Sequence, residues 1–464
     1  MKRTSNRWSF GSAVARLALA AAALMMAAAL VGGAGVVRAE EPDAGRPIVE
    51  ITPGRARAFQ AAVQRFVDLA EPPNAQRSNH LRAAIGEALD FSGVLLPLDP
   101  AAYLGPEQSD ALSNRGRNDC GDWTQSGADA LVEGEIHSEG DLLVIDFAVW
   151  DTARCVRLMR SSLRRPRSEA PRLARSVGDA IVGAFTGTPG AASTEIAFVS
   201  TRTGHSEIFV MDASGANPRP ATNSRSIKTF PDWLPDGEGI VYSSYTRQGD
   251  PGLFLSSRGA ARPGPLLAGA IPGAPKYRGV FDPSGDFLAL VASVDESTHV
   301  FRVRREGQQV LQLTRGRSIE VGPTWSPDGQ QIAFVSDRTG APQIYVMDRD
   351  GGNMRRLTFQ GSYNTSPAWS PDGRWIAYET RLVGQFDIWL IDPGGDVNVP
   401  LVVHPRSDED PTWSPDSRKL AFSSTRRGRA DIYVMDVNGE KLERLTERKG
   451  ENRSPSWGPF PQAR

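Results

Sequence analysis

An aromatic residue followed by a turn rich in Pro, Asp and Gly recurs through the second half of the chain, at Trp233, Phe281, Trp325, Trp369, Trp413 and Trp457. Successive gaps are 48, 44, 44, 44 and 44 residues. A period of about 40 to 45 residues with several short strands per unit is the mark of a β-propeller, because no single blade can bury both of its apolar faces alone. In the clearest unit, strand a ends at Trp325 and Ser326-Pro327-Asp328-Gly329 turns the chain. Strand b follows over Ile332 to Ser336, strand c over Ile344 to Asp348, and strand d includes Arg356-Leu357-Thr358.

The ends of the array are complementary. The segments Ile196 to Ser200, Ile208 to Asp212 and Arg219 to Ala221 supply strands b, c and d with no aromatic turn before them, while Ser454-Pro455-Ser456-Trp457 supplies a strand a with no blade after it. Joined, they make a sixth blade and leave no open sheet edge. The expected fold is therefore a six-bladed β-propeller with a shared closing blade over residues 195–464, behind a small mixed α/β domain. The tryptophans read as fillers between blades. The turn aspartates Asp236, Asp328, Asp372 and Asp416 read as turn makers.

Ahead of the propeller the repeat is absent. Residues 1–39 read as a secretory signal, with basic Lys2, Arg3 and Arg7, an Ala-rich apolar run from Leu17 to Val37, and Val37-Arg38-Ala39 as the cleavage site; the run is just long enough to span a bilayer, so a retained anchor is the alternative. Export implies an oxidising compartment, where Cys120 and Cys155 either form a disulfide or remain as two buried thiols. Within residues 40–185, Phe59, Val63, Phe66, Val67 and Ala70 fall at helical spacing. A second helix is expected from about Asn79 to Leu89 behind a Ser78 or Asn79 cap. Strands are expected over Ala128 to Glu135, Leu142 to Trp150 and Cys155 to Leu163, then a helix from about Ala170 to Ala184 and a linker over 186–194.

The chain carries 53 basic and 54 acidic residues, which gives no electrostatic reason to expect nucleic acid. His80, His137, His205, His299 and His404 show no metal-ligand spacing, and no metal or cofactor is expected. A nucleophile elbow Gly-x-Ser-x-Gly is absent, and the chain ends seven residues past Trp457, so the chain is not expected to be a propeller-gated peptidase or any other enzyme.

Several segments resemble the TolB family of the Tol-Pal system. They are Gly45-Arg46-Pro47-Ile48, Gly127-Ala128-Asp129-Ala130-Leu131-Val132-Glu133-Gly134, Ile196-Ala197-Phe198-Val199, the repeated Trp-Ser-Pro-Asp-Gly turns, and the closing Pro455-Ser456-Trp457-Gly458-Pro459. The resemblance implies a periplasmic, non-enzymatic, monomeric protein attached to the outer membrane through its partners. It implies binding of the lipoprotein Pal through one propeller face, contact with TolA through an N-terminal arm, and help to the outer membrane in following constriction at division. Here Glu40 to Ala44 is all that separates the cleavage site from Gly45, a shorter arm than the family's. A propeller that senses a small molecule or sugar is the alternative.

In propeller geometry the d-to-a and b-to-c connections leave on one side. The d-to-a set carries Lys228, Tyr277, Arg278, Glu320, Asn364, Thr365, Glu409, Asp410 and Arg453, expected as a wet rim for a protein partner. The b-to-c set repeats Arg202, Arg247, Arg338, Arg381 and Arg426. These either recognise partner carboxylates or solubilise hairpin tips and pair locally.

Overall fold

A computed structural model describes residues 58–110, 112, 120–245, 249–257, 264–266, 270–447 and 449–461. The expected signal, the arm and the Gly45-Arg46-Pro47-Ile48 motif lie outside the described residues.

The chain enters through β1 (Phe59–Val63) and β2 (Val67–Asp68), where the spacing suggested a helix. Both faces of β1 are covered. Ala61 and Val63 join the core under the helices, while Ala62 packs against Trp123, Ala128 and Leu131 on the other side. A strand buried on two faces reads as a continuous apolar run, and such a run has no period to separate it from a helix.

Helix α1 (Ala75–Ser92) begins four residues earlier than expected. Pro72 and Pro73 bar any earlier helix, and the next residue, Asn74, takes the cap by accepting from the Arg77 amide at 3.0 Å. After β3 (Leu95–Pro97) and the short α2 (Gly121–Gln125) come the hairpin strands β4 (Ala130–Glu139), β5 (Leu142–Asp151) and β6 (Val156–Pro166). The sheet order is β3-β1-β4-β5-β6, with β2 also on β4. Helix α3 (Ala170–Thr186) packs beside α1 on one face of this sheet through Leu173, Val177, Ile181, Leu81, Ile85 and Leu89. Cys120 and Cys155 are joined by a disulfide that ties α2 to the turn before β6.

The expected linker is held, not loose. Asp179 of α3 accepts from the amides of Ala192 and Ser193, both at 2.8 Å. Burial pushes its carboxyl up to about 6.

Six four-stranded sheets follow, five of them continuous in sequence. The inner strands a are Lys228–Trp233, Lys276–Phe281, Glu320–Trp325, Asn364–Trp369, Asp408–Trp413 and Asn452–Trp457. The last of these pairs antiparallel with Glu195–Ser200, matching Asn452 to Ser200 and Trp457 to Ile196, so the seam blade closes as the sequence requires. Trp233, Trp325 and Trp413 reach across blade boundaries. Their Nε1 groups donate to the carbonyls of Ser456, Val280 and Ala368 at 3.1, 3.0 and 2.9 Å. The turn aspartates act as expected: Asp328 accepts from the Gln330 amide at 3.0 Å, and Asp372 and Asp416 repeat the contact.

The α/β domain rests on the side of the a-b and c-d turns, over the seam and fifth blades. Phe91 packs near Trp457, Lys441 bonds Asp90 at 2.9 Å, and Arg175 bonds Asp212 at 3.0 Å. Among the described residues the α/β domain makes no contact that reaches the d-to-a and b-to-c side.

Candidate functional site

Every strand a carries one extra residue relative to its partner strand b. The bulged residue takes a positive φ in all six blades: Phe230, Arg278, Gly322, Ser366, Asp410 and Ser454, between 28° and 62°. In five blades proline follows (Pro231, Pro323, Pro367, Pro411 and Pro455), and in the second Gly279 stands there. Proline cannot donate to the sheet ladder, so it locates the bulge, and in four blades the bulged side chain (Phe230, Arg278, Asp410, Ser454) faces the channel. The signal, a proline two residues before each tryptophan, was present in the sequence. Its meaning appears only once the six strands stand around one channel.

That channel holds a cavity of about 220 Å³ lined by Phe230, Asp232, Arg278, Asp410, Ser454 and Ser456. Its charges are unevenly spread. Burial raises the Asp232 carboxyl to about 7, against the pull of Arg278 and the Ser456 hydroxyl. Across the seam strand from Asp232, Glu379, Glu409 and Asp410 crowd together on the fourth and fifth blades. Burial and then Asp410 push Glu409 to about 7 although Arg453 sits 3.1 Å away. Glu379 is held well above the usual carboxylate range by burial and by both acidic neighbours, and it accepts from the Asp410 amide at 2.6 Å. Asp410 in turn accepts from the Ser454 amide and hydroxyl at 3.2 and 3.0 Å.

The residues expected at the rim divide by position. Arg278 and Asp410 line the channel, Glu409 and Arg453 form a pair across two blades, and Tyr277, next to Arg278 on the second blade, is half-buried. Lys228, Glu320, Asn364 and Thr365 are buried, which corrects the expectation of a wet rim there. As first residues of their strands, Lys228, Glu320 and Asn364 sit between blades. Lys228 pairs with Glu207 at 2.9 Å, Asn364 donates to Gln343 at 2.8 Å, and Glu320 accepts both Arg338 contacts at 2.8 and 3.0 Å.

The arginines are engaged within their own blades. Arg202, Arg338 and Arg426 each lie over two rings, Phe198 and Phe209, Phe334 and Tyr345, and Phe422 and Tyr433. Each also donates to a strand b serine and to the first residue of strand a, Asn452, Glu320 or Asp408. Arg381 stacks on Tyr363 and Phe386. Arg247 lies outside the described residues. Two aromatic faces and a buried acceptor give each guanidinium a better-satisfied site in the blade than a solvated tip provides.

Among the described residues no cluster of three or more His, Cys, Asp or Glu is arranged to hold a metal, and no helix is long and apolar enough to cross a membrane.

Fold and site together define a two-domain propeller protein whose α/β domain sits over two blades of one face and whose charged channel mouth, among the described residues, is open on the other. The chain belongs to the TolB family: residues 182–461 match the model of the TolB beta propeller domain, and residues 47–158 match that of the TolB amino-terminal domain. Among similar proteins, the Tol-Pal system protein TolB of Anaeromyxobacter dehalogenans is 33% identical over 317 residues, 67% of this chain and 68% of the relative. That of Syntrophotalea carbinolica is 34% identical over 193 residues, and the match spans 42% of this chain and 45% of that relative's length. The crystal structure of TolB from Acinetobacter baumannii superposes with a TM-score of 0.72 at 26% identity, covering 87% of this chain and 97% of that one.

Proposed function

We propose that this protein works in the periplasm as a binding component of a Tol-Pal system and catalyses no reaction. In this reading the open propeller face captures a Pal-like lipoprotein at the channel mouth, and residues ahead of 58 reach toward TolA. The partnership helps the outer membrane follow the constricting cell.

The observation that carries the reading is the contrast between the two faces. The α/β domain sits over the seam and fifth blades of one, while the other presents bulged side chains of mixed charge around a narrow bore. Tyr277, Arg278, Glu409, Asp410 and Arg453 are the contacts assigned to the partner. Lys228, Glu320, Asn364 and Thr365, with Arg202, Arg338 and Arg426, hold the strand ends that frame them. A cavity of about 220 Å³ falls below the roughly 300 to 1,000 Å³ of small-molecule pockets, which weighs against a metabolite sensor.

The test is calorimetric titration of the mature protein with the soluble domain of the Pal-like lipoprotein from the same genome. Arg278→Glu and Glu409→Lys should each weaken binding at least tenfold while thermal unfolding stays close to the parent's. Undetectable binding by the parent protein, or unchanged affinity in both variants, would overturn the reading.

A further inference from the structure

We propose that the outer edge of the open face, over the second to fourth blades, docks directly on a bilayer surface rich in anionic phospholipid. This goes beyond capture of a protein partner and does not depend on it.

The three most exposed large apolar side chains of the described chain sit on this edge: Val383 at 81%, Phe359 at 73% and Val403 at 64% exposure. Leu382 and Ile319 are exposed beside them. Single exposed apolar residues need no explanation, but a group on neighbouring loops of one edge does.

Contacts between the loops hold the group together. The Arg381 amide donates to the Tyr363 carbonyl at 2.9 Å, and Leu382 lies against Gly361, which joins the loop bearing Val383 to the connection bearing Phe359. The Phe386 amide donates to the Ser407 hydroxyl at 3.3 Å, which joins the same loop to the connection bearing Val403. The Ile319 amide donates to Asp337 at 2.8 Å, which fixes the second-blade connection to the loop of the third.

The charge on these loops is one-sided. The second blade's own b-to-c turn carries Asp295 and Glu296, and Arg338 is taken up by Glu320; residues 315–319, 337–342, 359–363, 381–386 and 403–407 carry Arg315, Arg317, Arg338, Arg381 and Arg406, with Asp337 as their one acid. That acid already serves the Ile319 amide. Arg315, Arg317 and Arg406 are exposed, and the Arg356 guanidinium lies 4.8 Å from the centre of the Phe359 ring. With Asp295, Glu296 and the Arg338–Glu320 pair counted, this edge keeps a modest excess of arginine, concentrated at Arg315, Arg317, Arg381 and Arg406.

A bilayer fits the pattern better than a folded partner does. A protein interface buries a packed apolar core in a continuous patch. Here the apolar groups stand on separate loop tips, spaced by Gly384, Gln360 and the arginines. Isolated tips of this kind enter the headgroup region of a membrane, with basic side chains level with the phosphates. The edge also lies on the side away from the α/β domain, so nothing in the described structure screens it.

The test is sedimentation of the mature chain with vesicles of phosphatidylglycerol and phosphatidylethanolamine, against vesicles of phosphatidylcholine alone. The parent should bind the anionic vesicles at least tenfold more tightly, and salt should weaken that binding. Arg315→Ser with Arg317→Ser should cost about 25-fold, at roughly fivefold for each basic residue near the surface. Phe359→Ser with Val383→Ser should cost at least tenfold. All four positions are exposed, so circular dichroism and melting should match the parent, and affinity for a Pal-like domain in lipid-free solution should be unchanged. Absence of vesicle binding by the parent, equal binding to neutral vesicles, or parental binding by both double variants would overturn the proposal. Capture of an acidic protein without vesicle binding would overturn it in favour of a protein partner.

Discussion

Trp457 and Trp325 occupy the same place in their blades, yet only Trp457 lies on the seam where the first and last propeller segments meet. Both are nearly buried, at 7% and 6% exposure. Burying about 200 Å² of indole at roughly 25 cal/mol per Å² gives about 5 kcal/mol, and Trp→Ala changes in cores cost about 3 to 5 kcal/mol. Local packing therefore predicts similar losses of about 4 kcal/mol for Trp457→Ala and Trp325→Ala. The consequences should nevertheless differ in location. Trp325 bonds the Val280 carbonyl of a blade to which the chain already connects it. Trp457 donates to Thr194 at 2.7 Å and packs with Ile196, Phe198, Met211 and, from the α/β domain, Phe91. Its loss should loosen the only blade whose strand a is not continuous with its strand b. Urea unfolding should give the two energies, and hydrogen exchange should show faster amides over residues 195–212 in Trp457→Ala alone. Equal exchange at the seam in both variants, or a loss below about 1 kcal/mol for Trp457→Ala, would refute the argument.

Two further outcomes follow from the channel and from the small domain. Asp232 and Glu409 titrate near 7 in the folded protein, above their unfolded values near 4, so the native state holds extra protons between those limits. The stability linked to them is full below about pH 4 and is lost as pH rises through 7. Asp232→Asn should therefore gain on the parent between pH 5 and pH 8, by about 1 to 4 kcal/mol in urea titrations; an equal difference at both pH values would contradict the assignment. Replacing Cys120 and Cys155 by serine opens a bridge with a sequence separation of 35 residues and should cost the α/β domain about 3 to 4 kcal/mol, read as a lower melting transition that reductant does not shift further.

Much of the propeller could be read from the chain because its punctuation is local. Each Trp-Ser-Pro-Asp-Gly turn encodes its own hairpin, and spacing alone then counts the blades and exposes the unequal ends. The α/β domain was less legible. Its first strand is covered on both faces, so Phe59 to Val67 offered helical spacing and no alternation. For the site, sequence order put these residues at the strand ends of one face but could not say which way each points. Lys228 and Glu320 open their strands as Arg453's neighbour Asn452 does; Lys228 is buried against Glu207 of the adjacent blade and Glu320 against Ser336 and Arg338 of its own, partners that sequence order alone does not identify. The arginines likewise repeat with the blades because the aromatic pairs beneath them repeat.

The six bulges separate the bore of the channel from its chemistry. Since a kink in the main chain aims the axial position, and Phe, Arg, Gly, Ser and Asp all occupy it at comparable φ, these sites form a panel that can be rewritten one position at a time over a fixed frame. A lineage could retune what its propeller grips by point changes at Phe230, Arg278, Asp410 and Ser454, the bulged positions that line the channel, with the tryptophan staples and the closing seam left as they are.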